Sequence, residues 1–137
     1  MLNGIDGLLT GELLMHLDAM GHSDSVIVAD AHFPAKRLAK NYIELPGTTT
    51  PDVVRAIRTV LPLDVDGPLD LMATPDQNTL QIHDELIAAA RIEHGDPRFV
   101  DRFDYYDLAE KAFVIIRTGE QRIYANALLR KGIAQST

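Results

Sequence analysis

The chain has 137 residues, the length of one ordinary domain, and can bury roughly two thirds of the surface that it exposes when unfolded. A hydrophobic fraction of 46% and a charged fraction of 24% are typical of a globular protein and exclude disordered, collagen-like and repeat proteins. A formal charge of -7 argues against a nucleic-acid partner, and the lack of cysteine excludes disulfides and thiolate metal sites. We expect a single domain over residues 1–137.

The amino-terminal segment lacks the features of a secretory signal. The first Lys or Arg is Lys36, and Asp6, Glu12 and His16 interrupt the apolar residues before it. The longest apolar run of the chain is too short to cross a bilayer. We expect a cytoplasmic protein with no membrane partner.

The first two predicted elements are a helix and a short strand. Thr10 precedes a leucine stripe at helical spacing, and Gly21 stands where a left-handed residue would end the helix. Ser25–Ala29 contains the β-branched run Val-Ile-Val, which is typical of a strand buried on both faces. Asp30 therefore follows the carboxyl end of a buried strand.

The middle of the chain predicts two more helices and a strand. The Thr-Pro pair at residues 50–51 supplies a capping hydroxyl from Thr50 and a proline for the first helical turn, and Pro62 ends this helix. Residues 69–73 form a short apolar strand. The next helix has its apolar stripe at residues 82–90 and ends near residues 94–95.

The last third of the chain alternates between strand and helix patterns. Residues 99–103 predict a small strand, residues 105–111 one or two helical turns, and residues 112–117 a buried strand. A last strand at residues 124–129 contains Asn126 among apolar residues. Strands separated by helices imply an α/β fold, a three-layer sandwich with a mostly parallel or mixed central sheet.

Asp30 and His32 are candidate site residues because ligands bind outside the carboxyl ends of strands in such sheets. Each also has a structural interpretation. Asp30 could cap a helix or accept hydrogen bonds from loop amides, and His32 could be an ordinary loop residue.

His22 is the candidate proton donor. It follows the first helix and precedes the first strand, and imidazole suits general acid catalysis near neutral pH. The alternative is an exposed helix-cap histidine. The run 20–34 places His22 and Asp24 before one strand and Asp30 and His32 after it, so we expect chemistry along this run.

A second candidate cluster lies near the carboxyl end of the chain. Arg102 suits a ligand or a surface ion pair, and Tyr124 suits a ligand or the edge of the core. A buried amide without a partner costs about 1–3 kcal/mol, so Asn126 should bind the backbone or a ligand. Carboxylate, imidazole, guanidinium, phenol and amide together form the polar set that binds a neutral polyol such as a sugar.

The sequence contains no metal or cofactor motif. The five histidines form no His-x-x-x-His pair, and neither a Gly-rich phosphate loop nor a Gly-x-Ser-x-Gly elbow occurs. We expect no metal site and no cofactor.

Five short motifs follow one another along the chain: Met-Gly-His-x-Asp at 20–24, Asp-Ala-His-Phe-Pro-Ala at 30–35, Arg-Phe at 102–103, Thr-Gly-Glu at 118–120 and Tyr-Ala-Asn-x-x-Leu-x-Lys-Gly at 124–132. In order and spacing this set resembles the RbsD/FucU family of ribose pyranases and fucose mutarotases. The resemblance extends from Leu2 to Ile133. It implies an α/β sandwich that assembles into a ring-shaped homo-oligomer, a decamer, with sites near subunit contacts.

The resemblance also implies a function: cofactor-independent isomerisation of a free monosaccharide between its α and β anomers and, in some members, between pyranose and furanose rings. His22 matches the proton donor of the family, Asp30 and Arg102 match substrate-binding positions, and residues 124–126 match the final binding motif. Ring opening needs a proton for the ring oxygen and the removal of one from the anomeric hydroxyl. We assign His22 as the acid, Asp30 as its orienting or hydroxyl-binding partner, and Tyr124 as a second proton relay.

The substrate prediction rests on features of two branches of the family. The motifs at 30–34, which include His32 as a substrate or subunit contact, and at 102–103 resemble fucose mutarotases. Ala125 stands where fucose-type members often have glycine, and its methyl group would slightly narrow the pocket. We favour L-fucose or a similar deoxy or pentose sugar. The alternatives are a D-ribose pyranase and a non-catalytic sugar-binding accessory of a transport or catabolic system.

Overall fold

In the computed structural model, which describes residues 1–136, the chain forms five helices and six strands. In chain order these are α1 (Gly11–Ala19), β1 (Ser25–Ala29), α2 (Ala35–Leu38), β2 (Tyr42–Leu45), α3 (Thr50–Arg58), β3 (Leu69–Met72), α4 (Gln81–Ala90), β4 (Pro97–Val100), α5 (Arg102–Lys111), β5 (Val114–Thr118) and β6 (Ala127–Arg130). All six strands join one sheet in the order β2-β5-β1-β6-β3-β4. β6 is antiparallel to both of its neighbours, and the other pairings are parallel.

The sheet is buried on both faces. Val26 and Val28 of β1 pack in one core with α1, α3 and α4, whereas Ile27 and Ala29 pack in a second core with α2 and α5. Successive side chains of a strand point to opposite faces, so an unbroken apolar run supplies both cores. The predicted three-layer α/β sandwich with a mixed sheet is confirmed.

The predicted amino-terminal cap of α1 is confirmed, whereas its predicted carboxyl-terminal cap is not. Thr10 caps α1, because its hydroxyl accepts a hydrogen bond from the Leu13 N–H. The prediction for Gly21 is wrong. α1 ends at Ala19, the next residue, Met20, is extended, and the left-handed residue in this loop is Ser23.

The caps of the two middle helices also differ from the prediction. Thr49, not Thr50, caps α3 through its hydroxyl, and Thr50 is the first helical residue. This helix ends at Arg58, before Pro62 is reached. α4 ends at Ala90, earlier than predicted, because Arg91 takes the left-handed conformation.

Four of the five predicted strands have shifted bounds, and the shifts of two of them move candidate site residues out of a strand. β4 ends at Val100, and residues 102–103 begin α5 instead of ending a strand. β6 begins at Ala127, so Asn126 lies in the loop before the strand. The chain also forms α2 and β2, two elements of four residues each that the sequence did not predict. Among the described residues, no helix has the length and apolarity needed to span a membrane.

The reversed direction of β6 positions the candidate site. In the ladders, Ala127 pairs with Val28 of β1 on one side and with Leu71 of β3 on the other. The amino end of β6 therefore lies at the sheet edge where β1 and β3 end. Residues 124–126 consequently meet Asp30 at this edge.

Candidate functional site

A cavity of about 200 Å³ opens at the carboxyl ends of β1 and β3. Its lining includes five of the predicted site residues: Asp30, His32, Arg102, Tyr124 and Asn126. Four further residues complete the lining, and the sequence reasoning assigned none of them to the site: Phe33, Met72, Tyr106 and Ile123. The two candidate clusters, some seventy or more residues apart in sequence, thus meet at one cavity.

The Asp30 carboxylate is buried and held by backbone N–H groups. Its Oδ1 accepts hydrogen bonds from His32 N–H at 3.0 Å and Phe33 N–H at 2.9 Å, and its Oδ2 accepts one from Ala125 N–H at 3.2 Å. Burial raises the pKa of the Asp30 carboxyl above its usual value, against the lowering effect of these N–H donors. Oδ2 has a single N–H donor and keeps acceptor capacity for a ligand hydroxyl.

The oxygen and the NH₂ group of the Asn126 amide have different partners. Its Oδ1 accepts a hydrogen bond from the Asp30 N–H at 2.7 Å. Its Nδ2 contacts Met72 Sδ at 4.0 Å, and a thioether is a weak acceptor. The oxygen therefore fixes the amide, and the NH₂ group remains available to donate to a ligand oxygen.

The backbone of Tyr124 and Ala125 shapes the loop before Asn126. Tyr124 has a left-handed conformation with φ 58°, which is uncommon for a residue other than glycine. Ala125 donates its N–H to Asp30, and its side chain packs in the core with α1, α3 and α4. The Ala125 methyl group therefore does not narrow the cavity, contrary to the expectation from sequence.

Arg102 is held beside the cavity by aromatic neighbours. Its Nε donates to the Tyr106 hydroxyl at 2.8 Å, and its guanidinium lies 5.4 Å from the centre of the Tyr106 ring. Tyr106 in turn packs edge-on against Phe33, with 5.6 Å between ring centres. Tyr106 is therefore a missed site residue. It could have been found from its i, i+4 spacing to Arg102 on α5.

The His32 ring lines the cavity and contacts a neighbouring loop. Its Nε2 lies 2.9 Å from the carbonyl oxygen of Gln121. Because a carbonyl only accepts, Nε2 carries the proton, and in the neutral ring Nδ1 is an acceptor. His32 thus adds an imidazole of defined orientation to the lining.

The Thr-Gly-Glu motif at 118–120 holds the segment that carries Asp30 and His32. Thr118 donates its hydroxyl to the Ala29 carbonyl at 2.8 Å, and the Glu120 carbonyl accepts the Ala31 N–H at 2.8 Å. A side chain at Gly119 would place its Cβ 1.9 Å from the Pro46 carbonyl oxygen, so only glycine fits. The motif anchors the loop that leads to the cavity.

His22 lies at the other end of β1. Its side chain is 55% exposed, and its Nε2 is 3.5 Å from Asp64 Oδ2, next to a larger cavity of about 530 Å³. Asp24 instead accepts the Gly21 N–H at 2.7 Å. A strand rises about 3.3 Å per residue, so five residues put roughly 16 Å between the two ends. Within one chain the structure does not bring His22 to Asp30, because an extended strand separates them.

Within residues 1–136, no group of three or more His, Asp or Glu side chains is placed to hold a metal ion.

The model of the "RbsD / FucU transport protein family" matches residues 3–134. The chain belongs to the RbsD/FucU family. FucU from Bifidobacterium longum is 34% identical, with a TM-score of 0.87 over 97% of this chain and 100% of that one. The fucose mutarotase from Streptococcus pneumoniae, solved in complex with L-fucose, is 29% identical, with a TM-score of 0.90 over 98% and 100%.

A more distant structure shares the fold. Bacillus subtilis RbsD complexed with D-ribose is 20% identical, with a TM-score of 0.79 over 98% of this chain and 100% of that one. The resemblance to the RbsD/FucU family that the five motifs indicated is thereby confirmed.

Proposed function

We propose that this RbsD/FucU protein is a cofactor-independent mutarotase, which interconverts the α and β anomers of a free monosaccharide. The observation that carries the proposal is one cavity that combines a buried carboxylate, Asp30, with the NH₂ group of Asn126 and the guanidinium of Arg102. L-Fucose is the first candidate substrate, because the similar S. pneumoniae mutarotase is solved with that sugar.

The size and lining of the cavity support a monosaccharide ligand. Pockets for drug-sized ligands measure about 300–1,000 Å³, whereas this cavity measures about 200 Å³. Polar groups on part of the wall suit sugar hydroxyls. The apolar side chains of Met72 and Ile123 suit the C–H surface of the ring or the methyl group of a deoxy sugar.

Asp30 has the properties of a base or a hydroxyl-binding group. Burial raises its pKa, which makes its carboxylate a better proton acceptor than an exposed one. In ring opening, a base takes the anomeric hydroxyl proton while an acid protonates the ring oxygen, and the bond between the anomeric carbon and that oxygen breaks. Rotation of the open-chain aldehyde and the reverse steps give the other anomer. We assign the second proton relay to the Tyr124 phenol and sugar binding to Asp30, His32, Arg102 and residues 124–126.

The acid that we assign is His22 of a second copy of the chain. Within one chain His22 is at the far end of β1, so it can serve the cavity only across a subunit contact. Two apolar side chains near the cavity, Phe103 and Ile123, are 72% and 60% exposed and offer surface for such a contact. A homo-oligomer is therefore part of the proposal, and both its ring-shaped decameric form and a cytoplasmic location remain predictions.

A second candidate function is sugar binding without turnover. The observation that favours it is the position of His22, which leaves the cavity of one chain with binding groups but without its assigned acid. Such a protein would keep Asp30, Arg102 and Asn126 as sugar ligands.

Saturation-transfer NMR on L-fucose, D-ribose, D-galactose and L-rhamnose separates these functions. Exchange between the α and β signals faster than in buffer supports a mutarotase, and exchange between pyranose and furanose signals of ribose supports a pyranase. Transfer of saturation from the protein to a sugar, without faster exchange between its anomers, supports a binding protein without turnover. The absence of both effects for all four sugars contradicts the proposal.

A further inference from the structure

His83 is a fully buried histidine of α4 that does not line the cavity. Its Nδ1 accepts a hydrogen bond from the Leu80 N–H at 3.0 Å. The proton of the neutral ring must then be on Nε2, which donates to the Met72 carbonyl oxygen at 3.1 Å. The ring therefore has a defined tautomer, and one of its two hydrogen bonds reaches a residue that lines the cavity.

The ring lies beside the end of the pairing between β3 and β6. The last pair is Leu71 with Ala127; Met72 comes after Leu71 on β3, and Asn126 comes before Ala127 on the loop that leads into β6. Asn126 Nδ2 contacts Met72 Sδ at 4.0 Å, so the two segments meet at Met72. One side chain from α4 thus holds the residue of β3 against which the Asn126 amide lies.

The loop before β6 is held by Asp30. The Ala125 N–H donates to the Asp30 carboxylate at 3.2 Å, and Asn126 Oδ1 accepts the Asp30 N–H at 2.7 Å. Tyr124 keeps a left-handed φ of 58°, a conformation that persists only where surrounding contacts enforce it.

We propose that His83 is a positioning residue of the sugar site, which acts by fixing the backbone of Met72. Met72 lines the cavity, and its Sδ contacts the Asn126 amide. The part of the inference that concerns turnover rests on the proposed mutarotase function. The part that concerns the held backbone of Met72 does not.

The surroundings keep the ring neutral. Burial lowers the pKa of His83, against the opposing effects of the Met72 and Tyr124 carbonyls and of Asp84. A second proton on Nδ1 would also point at the Leu80 N–H. Phe99 packs edge-on against the ring, with 5.2 Å between centres, and fixes its plane.

Two variants each keep one of the two hydrogen bonds of His83. In His83→Gln, the longer amide can still donate to the Met72 carbonyl. In His83→Asn, the shorter side chain can still accept the Leu80 N–H but cannot reach Met72. The proposal expects His83→Asn to lower kcat for anomer exchange about tenfold or more with a smaller change in KM, and His83→Gln to retain most of kcat.

The opposite order of the two variants would overturn the proposal, because a role confined to capping α4 is rescued by Asn and not by Gln. Thermal unfolding of both variants shows whether a loss of folding explains a loss of rate.

A readout without sugar keeps this test separate from the proposed function. The amide ¹H–¹⁵N shift of Ala73, whose peptide group contains the Met72 carbonyl, and the side-chain amide shifts of Asn126 should move in His83→Asn and stay near wild type in His83→Gln. If wild-type protein exchanges no sugar, the mutarotase proposal fails, and these shifts still decide whether His83 holds the Met72 backbone. Unmoved shifts in a folded His83→Asn would overturn the inference.

Should neither variant fold, ring ¹⁵N shifts of the wild-type protein decide. A proton on Nε2 and none on Nδ1 support the inference, and the opposite tautomer overturns it.

Discussion

The two ends of β1 carry titratable groups in opposite environments. At the carboxyl end, Asp30 is 3% exposed and accepts three backbone hydrogen bonds, so its carboxylate has one orientation. At the amino end, His22 is 55% exposed, and its side-chain partner is Asp64 at 3.5 Å. A buried and fully oriented group can define a binding site within one chain, whereas an exposed imidazole gains a defined task only against another surface.

The largest effect should come from His22→Ala. If His22 is the acid, catalysed anomer exchange should fall by about 10²–10⁴-fold, the range of general acid–base catalysis. Sugar affinity should change little, because the assigned binding groups Asp30, Arg102 and Asn126 stay in place. Exchange NMR measures the rate, and titration followed by saturation transfer measures affinity. His94→Ala, on the same face, is the matched control. Normal exchange in His22→Ala would remove His22 from the mechanism.

Mixing two inactive variants tests whether the ends of β1 cooperate between copies. Asp30→Asn should lose both sugar binding and exchange, because the carboxylate is replaced at the centre of the cavity. When Asp30→Asn and His22→Ala are unfolded together and refolded, about a quarter of the sites in a randomly mixed symmetric oligomer should have both wild-type residues. Recovered exchange measures this fraction. A mixture as inactive as its components would contradict a shared site.

A smaller effect is expected from Tyr106→Phe. The change removes the hydroxyl that accepts the Arg102 Nε hydrogen bond at 2.8 Å and leaves the ring in place. A typical hydrogen bond contributes about 0.5–1.5 kcal/mol, so sugar affinity should fall by roughly two- to tenfold. Tyr42→Phe is the control, because its hydroxyl binds Glu44 away from this cavity. Equal affinities in the two variants would show that Arg102 needs no such support.

The pH dependence of stability should differ in sign between the two ends. Burial raises the folded-state pKa of Asp30 above 3.8, so its favourable contribution to folding is present below pH 3.8 and is lost as the pH rises through the raised value. The hydrogen bond from the Ser23 hydroxyl lowers the pKa of Asp64, so its contribution is present above pH 3.8 and is lost as the pH falls through the lowered value.

Urea unfolding of wild type, Asp30→Asn and Asp64→Asn over a pH series measures both contributions as differences in the free energy of unfolding. As the pH rises, the free energy of unfolding of wild type should fall relative to that of Asp30→Asn. Over the same series it should rise relative to that of Asp64→Asn. The same sign at both positions would contradict the contrast between the ends.

The sequence predicted what depends on local pattern. Ser25–Ala29 has the predicted bounds because a β-branched run buried on both faces has few alternatives. The sequence did not predict α2 and β2, because elements of four residues contain too few positions to show a periodicity. Residues 102–103 begin a helix because the chain leaves β4 at Asp101, a boundary that the preceding apolar pattern does not mark.

The site was predictable in its polar residues and not in the separation of His22 from them. Asp30 and His32 follow from the rule for carboxyl ends of strands, and Asn126 from the cost of a buried amide. Met72 ends β3 at the same edge, so the same rule could have found it. The separation of His22 from Asp30 depends on the length of a straight strand, and the hydrogen bonds of His83 depend on how α4 packs over β3, which no short motif records.

The place of β6 in the sheet has a consequence for folding during synthesis. β6 follows the other five strands in sequence, yet it lies between β1 and β3, so the strands made earlier form two separate groups until it arrives. Both halves expose unpaired strand edges during that interval, and such edges favour association with other chains. The sheet can therefore close only after the last strand has been synthesised. The candidate cavity forms in that same late step, because residues 124–126 enter together with β6.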